Sequence, residues 1–124
     1  LHDALPIFDD QSGRPTSAAD LAGFILGQAP RLAAAKTGDP AFGLLHFANS
    51  GEVTWKGFAE AIFAEALGDE APVVGGQKTA DYVTPARRPL RATMDLGRLQ
   101  AVFGVTPRPW QAALSEILAE LKAG

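Results

Sequence analysis

The sequence contains no cysteine, and this absence excludes disulfides, thiolate metal sites and cysteine nucleophiles. No run of roughly 18 apolar residues could span a bilayer, and we expect no secretory signal because the first residues lack a basic start and a long apolar centre. Neither sign of charge is in large excess, since 11 basic residues stand against 14 acidic ones. That balance argues against non-specific nucleic-acid binding, and a cytoplasmic domain with a small-molecule or protein partner is expected.

Common cofactor and catalytic motifs are missing as well. The sequence has no Gly-x-Gly-x-x-Gly turn, no Gly-Lys-Ser/Thr phosphate loop and no His-x-x-x-His pair. Tyr82 is the only tyrosine, and the residue four positions later is Ala86 rather than lysine, so the Tyr-x-x-x-Lys pair that protonates a carbonyl during hydride transfer is absent. We therefore expect neither a dinucleotide site nor a self-sufficient active site in this chain.

Length and composition indicate one domain with a hydrophobic core, because the chain has 124 residues, 47% of them hydrophobic, and a net charge of only −3. Residues 1–6 do not begin with methionine and show no clear periodicity, so we expect them to be the boundary of a longer reading frame. The folded lobe is expected to cover residues 7–124.

A seven-residue segment, Asp-Gln-Ser-Gly-Arg-Pro-Thr at residues 10–16, combines the signals of a strand exit, a tight turn and a helix start. Gly13 provides the backbone freedom that a sharp turn needs, and Thr16 or Ser17 is expected to cap the following helix. Asp20 completes a Ser-x-x-Asp variant of the capping box. The simpler interpretation is a well-made loop-to-helix junction, although such junctions also place side chains at a site.

Hydrophobic periodicity predicts four helices and a few short strands. The first helix is expected to follow Ser17 and to be ended or kinked at Pro30. The expected limits of the others are Thr54 and Gly68, Asp95 and Gly104, and Trp110 and Leu121. The apolar run at residues 43–48 is predicted to be a buried strand, and residues 73–74 a second short one. Helices alternating with few strands are typical of a small α/β lobe.

Two ring side chains have both a structural and a functional interpretation. His46 lies in the apolar run, where a hydrogen-bonded core or pocket histidine is expected rather than a general base. Trp55 begins the apolar stripe of the second helix, so it is either a core residue or a stacking platform for a base or a sugar. The core interpretation is the simpler one for Trp55.

Two adjacent arginines, Arg87 and Arg88, stand between Pro85 and Pro89 in a segment rich in glycine, proline and charge. The prolines restrict the backbone, and two planar guanidinium groups can donate paired hydrogen bonds to the oxygens of a diphosphate. A solvated basic turn or a salt bridge to a carboxylate is the simpler explanation on local chemistry.

Several short motifs occur in a specific order over residues 7–121, namely Asp10-Gln11-x-Gly13-x-Pro15-Thr16, Gly43-x-x-His46, Ser50-Gly51, Thr54-Trp55-x-x-Phe58-Ala59, Thr84-Pro85-Ala86-Arg87-Arg88-Pro89, Phe103-Gly104, and Pro109-Trp110 with Leu114. In this order they resemble the C-terminal half of the dTDP-4-dehydrorhamnose reductases. This family belongs to the extended short-chain dehydrogenases/reductases. The resemblance implies the substrate-binding lobe of an NAD(P)-binding Rossmann-like fold, built from helices with a few short strands.

The resemblance implies an NADPH- or NADH-dependent reduction of dTDP-4-dehydro-L-rhamnose to dTDP-L-rhamnose for bacterial polysaccharides. In that family the dinucleotide motif and the Tyr-x-x-x-Lys acid lie in the Rossmann half, which would precede residue 7. The isolated chain is therefore expected to be inactive. Leu45 and Thr93 depart from residues common in the family, which leaves the sugar open. A non-catalytic sugar-nucleotide-binding or regulatory protein, or a reductase of another nucleotide sugar, is the alternative.

The resemblance also implies roles for individual residues. Arg87 is expected to contact the diphosphate or the sugar, with Arg88 as its support, and Gln11 and Trp55 are further pocket candidates. Some family members bind Mg²⁺ at a homodimer interface, and the matching positions here are Asp20 and Glu120, which could equally be a helix-start carboxylate and a solvated helix residue.

Overall fold

The computed structural model describes residues 4–124. Strands and helices follow one another in the order β1 (Leu5–Phe8), β2 (Ser12–Gly13), α1 (Ala18–Ala34), β3 (Val53–Thr54), α2 (Trp55–Leu67), β4 (Val74–Gln77), α3 (Gly97–Phe103) and α4 (Trp110–Ala123). Helices with a few short strands confirm the predicted α/β class. Of the predicted boundary segment, residues 1–3 lie outside the described part, and β1 begins at Leu5.

Two small sheets meet at the segment that follows β1. Strand β1 pairs in parallel with β4, with Leu5 opposite Val74. Strand β2 pairs antiparallel with β3, with Ser12 opposite Thr54. Residues 9–11 alone separate β1 from β2, so this short segment connects the two sheets. The predicted strand at residues 73–74 is confirmed in position, although β4 begins one residue later and continues to Gln77.

The start of α1 is capped in a different way from the predicted capping box. Ser17 Oγ accepts the N–H of Asp20 at 3.1 Å, as expected. The reciprocal bond is replaced, because the N–H of Ser17 donates to Asn49 Oδ1 at 2.8 Å. Gly13 is a strand residue and is not among the glycines with positive φ, so the expectation of a glycine-specific turn there is wrong.

Helix α1 runs through Pro30 to Ala34. Proline removes one backbone donor, but it does not end this helix. The other predicted helix limits are close to those observed. Thr54 Oγ1 accepts the N–H of Gly57 at 3.0 Å, and Gly68 and Gly104 both end their helices with positive φ.

The predicted buried strand at residues 43–48 is wrong. These residues form no regular secondary structure, and both Leu44 and His46 are exposed. The guanidinium of Arg98 donates to the carbonyl of Pro40 at 2.7 Å, to that of Phe42 at 2.8 Å and to that of Leu44. A side chain therefore satisfies carbonyls of this loop, that of Leu44 within the predicted strand and those of Pro40 and Phe42 just before it.

The core is small and centred on α3 and α4, with Leu99, Trp110, Ala113 and Leu118 as its buried residues there. Trp110 packs edge-to-face on Phe58 of α2 with ring centroids 5.6 Å apart. Leu121 was predicted to be buried but is 71% exposed. None of the helices described over residues 4–124 is long and apolar enough to cross a membrane.

Candidate functional site

A cavity of about 330 Å³ opens between the 10–16 junction and the start of α2. Its walls contain Gln11, Ser12, Gly13, Arg14, Pro15, Val53, Thr54, Trp55, Phe58, Arg88, Pro89 and Ala92. Three predicted site residues, Gln11, Trp55 and Arg88, are thus brought together, although they are far apart in the sequence. We call this space the first cavity.

Trp55 forms one wall of the first cavity and is 56% exposed, so the core interpretation is wrong. Its position follows from the local fold, because Trp55 is the first residue of α2 and its backbone N–H donates to the carbonyl of Gln11 at 3.1 Å. An exposed indole beside a cavity can stack on a planar or apolar ring.

Gln11 is 9% exposed, and its side chain is held by hydrogen bonds to Thr79, which lies just after β4. Gln11 Nε2 donates to Thr79 Oγ1 at 3.1 Å, and Thr79 Oγ1 donates to Asp10 Oδ1 at 2.8 Å. Because Thr79 has one hydroxyl proton and gives it to a carboxylate, its oxygen must accept from Gln11. The amide nitrogen of Gln11 therefore faces Thr79, and its carbonyl oxygen is left for another partner.

The carboxylate of Asp10 also accepts the backbone N–H of Thr79, at 3.1 and 3.0 Å to its two oxygens. The hydrogen bond from the Thr79 side chain is the main reason that the pKa of Asp10 lies below its usual value, and partial burial opposes this shift. Asp10 is therefore an ionised acceptor at neutral pH.

A second cavity of about 580 Å³ lies beside the first, and Arg87 and Arg88 both line it, together with Asp10, Thr79 and Tyr82. Arg88 is common to the two cavities. Within residues 4–124 neither arginine makes an ion pair or a side-chain hydrogen bond, so the predicted alternative of a salt bridge to a carboxylate is not observed there.

No carboxylate lines the first cavity. Glu52, next to its wall, is already paired: it accepts from Ser12 Oγ at 2.7 Å and from Arg91 at 3.0 and 3.1 Å. These bonds, that from Arg91 first, lower the pKa of Glu52 to about 2. The electrostatics of the cavity are consequently set by guanidinium groups.

Asp20, one of the two predicted magnesium ligands, is paired with a guanidinium group in this structure. Its two carboxylate oxygens each accept from Arg108 at 2.8 Å, and one also accepts from Asn49 Nδ2 at 2.7 Å. The bond from Arg108 is the main reason that the pKa of Asp20 is lowered. Glu120 is exposed on α4, and the described part of the chain holds no cluster of three His, Cys, Asp or Glu that suits a metal. The Mg²⁺ site that the resemblance implies therefore stays a prediction.

Sequence reasoning missed Thr79, Asn49 and Arg14. Thr79 orients Gln11 although 68 positions separate them, and Asn49 is fully buried and bonds to the start of α1. Arg14 stands at a position that the junction motif leaves unspecified, so no pattern marked it. Such residues carry no periodic signal, because their importance depends on what the fold brings next to them.

Comparison with known proteins identifies the family of this chain. The family model described as the RmlD substrate binding domain matches residues 1–123. The chain belongs to this family. The resemblance recognised from the ordered motifs is confirmed.

Members of the RmlD substrate binding domain family with similar sequences include a dTDP-4-dehydrorhamnose reductase of Aggregatibacter actinomycetemcomitans, 37% identical over 121 residues, and one of Streptomyces griseus, 36% identical over 115 residues. The matches cover 94% and 92% of this chain but only 40% and 36% of those proteins. The chain therefore spans about 40% of the length of the curated relatives that it matches.

Solved structures show the same fold. A dTDP-4-dehydrorhamnose reductase from Clostridium acetobutylicum superposes with a TM-score of 0.81 at 28% identity, over 97% of this chain and 39% of that one. A reductase of the same name from Bacillus anthracis, solved in complex with NADP, has a TM-score of 0.74 at 22% identity and covers 95% of this chain and 38% of that one. These likenesses confirm the expected substrate-lobe fold.

Proposed function

We propose that this chain is the nucleotide-sugar-binding lobe of a reductase that converts dTDP-4-dehydro-L-rhamnose to dTDP-L-rhamnose with NADPH. The position of Arg88 carries the proposal, because this residue lines two adjoining cavities. A nucleotide sugar is elongated, with a flat base at one end, a sugar at the other and a diphosphate between them. A guanidinium between two cavities is suited to the central diphosphate. The names of the relatives support the choice of substrate.

The two cavities differ in a way that suits the two ends of such a ligand. Trp55, Phe58 and Pro15 give the first cavity apolar and aromatic walls, which favour stacking of a ring. Arg87 lies in the second cavity with Thr79 and can contact the diphosphate or the sugar. Charge-assisted bonds from Arg87 and Arg88 would fix the ligand along its length.

This lobe contributes binding and orientation to the reaction rather than the chemical groups. NADPH, when bound by the preceding half that the resemblance implies, supplies the hydride for the 4-keto carbon. The described residues hold the nucleotide sugar in one orientation, and fixed orientation alone can lower a barrier substantially. Since the chain has no Tyr-x-x-x-Lys pair, no proton transfer is assigned to its residues.

Ligand binding tests the proposal directly. Trp55 is exposed whereas Trp110 is buried, so dTDP should change the fluorescence of Trp55, and Trp55→Phe should remove that signal while calorimetry still detects binding. Arg88→Ala should weaken dTDP binding by roughly 1.5–3 kcal/mol, the range for a hydrogen bond to a charged group. The control is Lys36→Ala, which removes an exposed positive charge outside both cavities. A folded chain that does not bind dTDP would contradict the proposal.

Activity separates the reductase from a non-catalytic binding protein. The 124-residue chain should oxidise no NADPH in the presence of dTDP-4-dehydro-L-rhamnose, because it lacks the cofactor motif and the acid. A longer protein that carries a Gly-rich dinucleotide turn and a Tyr-x-x-x-Lys pair ahead of residue 7 should oxidise NADPH in the same assay. Binding without turnover by such a protein would favour the regulatory alternative.

The homodimer and the Mg²⁺ ion that the resemblance implies remain predictions. Sedimentation of the longer protein with and without MgCl₂ tests both. Asp20→Asn should abolish any magnesium-dependent association if Asp20 is a ligand, although the ion would first have to displace Arg108.

A further inference from the structure

The arginines of residues 4–124 divide into two groups by what their guanidinium groups contact. One group is engaged by protein acceptors, and its members are Arg31 on the carbonyl of Val102, Arg91 on Glu52, Arg98 on three loop carbonyls, and Arg108 on Asp20 and Glu116. Arg14, Arg87 and Arg88 make no side-chain hydrogen bond or ion pair within the described residues. All three line the first or the second cavity.

Arg14 differs from the other two because it is partly buried. Its Nε is buried and has no hydrogen-bond partner within residues 4–124. A buried N–H of a charged group without an acceptor is destabilising, so the arrangement is suited to an acceptor that comes from outside the chain. The following residue, Pro15, restricts the backbone of Arg14 and reduces the freedom that would be lost on binding.

The carboxylates around Arg14 contact other groups, and within residues 4–124 none of them makes an ion pair with Arg14. Arg14 also borders a polar hollow that contains Arg91, Thr93 and Asp95. There Arg91 pairs with Glu52, and Asp95 Oδ1 accepts the N–H of Gly97 at 2.6 Å. On its other side Arg14 faces the first cavity, where Arg88 adds a second positive charge and no carboxylate is present.

We propose that Arg14 is a further binding residue, which contacts the diphosphate of the nucleotide sugar from the wall of the first cavity together with Arg88. The inference rests on the proposed function and deepens it, because it adds a contact at the junction to those expected from the Arg87–Arg88 pair. Two guanidinium groups from distant segments would hold a diphosphate more rigidly than one, since each can donate paired hydrogen bonds.

Paired ligands with and without phosphates test this role. Affinities for dTDP and for thymidine are measured by calorimetry for the wild-type chain, Arg14→Gln, Arg14→Lys and the charge control Lys36→Gln. Arg14→Gln should raise the Kd for dTDP by roughly 10- to 100-fold, the range for a lost charged hydrogen bond, and leave the Kd for thymidine unchanged. The Kd of Arg14→Lys for dTDP should lie between those of the wild type and Arg14→Gln, because lysine keeps the charge but not the planar guanidinium group. Lys36→Gln should match the wild type.

The outcomes distinguish this inference from the proposed function. If Arg88→Ala weakens dTDP binding and Arg14→Gln does not, the role of Arg14 is overturned while the proposed function stands. An equal loss of affinity for dTDP and thymidine in Arg14→Gln would assign Arg14 to packing, which also overturns the inference. A folded wild-type chain that binds neither ligand overturns both. Should Arg14→Gln fail to fold by circular dichroism, a loss of dTDP affinity in Arg14→Lys supports the role and wild-type affinity overturns it.

Discussion

Thr79 Oγ1 donates a hydrogen bond to Asp10 Oδ1 over 2.8 Å, across 69 positions of sequence. This bond determines which end of the Gln11 amide faces the cavity, because it uses the only hydroxyl proton of Thr79. The ionised Asp10 is therefore a positioning residue for Gln11. In the proposed complex, the carbonyl oxygen of Gln11 would face a hydrogen-bond donor of the ligand, and the diphosphate, which only accepts, would lie at the arginines instead.

Replacing the hydroxyl of Thr79 should weaken ligand binding without removing the cavity. Thr79→Val keeps the volume but frees the Gln11 amide, so we expect the Kd for dTDP-rhamnose to rise by about 3- to 10-fold, which corresponds to one net hydrogen bond. Thr79→Ser retains the hydroxyl and should restore wild-type affinity in calorimetry. Equal affinities for Thr79→Val and Thr79→Ser would mean that the orientation of Gln11 does not matter for binding.

Asn49 connects the start of α1 with the segment that precedes α4. It is fully buried, accepts the N–H of Ser17, and donates to Asp20 and to the carbonyl of Arg108 at 3.2 Å. Asn49→Ala removes the partner of the Ser17 N–H and of the Arg108 carbonyl, at about 1–3 kcal/mol for each, so we expect a loss of about 2–6 kcal/mol of unfolding free energy in urea. The exposed amide of Gln111 provides the control, and Gln111→Ala should change stability by no more than about 0.5 kcal/mol.

Two helical glycines should respond to alanine with opposite signs. A Cβ at Gly23 of α1 would meet no atom within 4 Å, so Gly23→Ala should stabilise the chain by about 0.5–1 kcal/mol through the higher helix propensity of alanine. A Cβ at Gly57 of α2 would lie 2.8 Å from Val53 Cγ2 and 3.3 Å from the capping oxygen of Thr54. Gly57→Ala should therefore destabilise the chain in thermal unfolding. Stabilisation by both substitutions would show that Val53 and the cap can move at little cost.

Acid should weaken the lobe through Glu52. Its pKa is lowered from 4.5 to about 2 in the folded chain, mainly by Arg91, so the ionised form is bound more tightly to its surroundings than the protonated form. The resulting stability is complete above pH 4.5 and is lost as the pH falls from 4.5 toward 2. The urea midpoint should fall less steeply over this range for Glu52→Gln and for Arg91→Gln than for the wild type. If the urea midpoint fell with pH equally steeply for the wild type and both variants, the acid sensitivity would belong to other carboxylates.

Local signals predicted the helices well because caps and periodicity act over a few residues. Ser17 and Thr54 cap α1 and α2 as expected, and Gly104 ends α3 in a left-handed conformation. The failures have a common cause. Residues 43–48 have the composition of a buried strand, but a strand needs a neighbouring strand. None pairs with this segment in the described structure, and Arg98 from a distant helix donates to the carbonyl of Leu44 instead.

In the site too, residues marked by local chemistry were predicted, and residues that depend on distant contacts were missed. Gln11, Trp55 and Arg88 were selected from local chemistry and resemblance, and the fold places them on one cavity. Arg87 lies in the adjoining one. Thr79 was not selected because it belongs to no motif, and Arg14 was not selected because the junction motif leaves its position open. The role of each depends on residues of other segments. A contact over dozens of residues leaves no trace in local composition.

By itself the sequence determined most of the helix limits, the family and the presence of two arginines that suit a diphosphate. The tertiary structure alone decided which arginines lack protein acceptors, which way the Gln11 amide turns, and that Asp20 pairs with Arg108. The physical reason is that periodicity and capping are properties of neighbouring residues. Hydrogen-bond satisfaction and charge pairing depend on which distant groups the folded chain brings within about 3 Å.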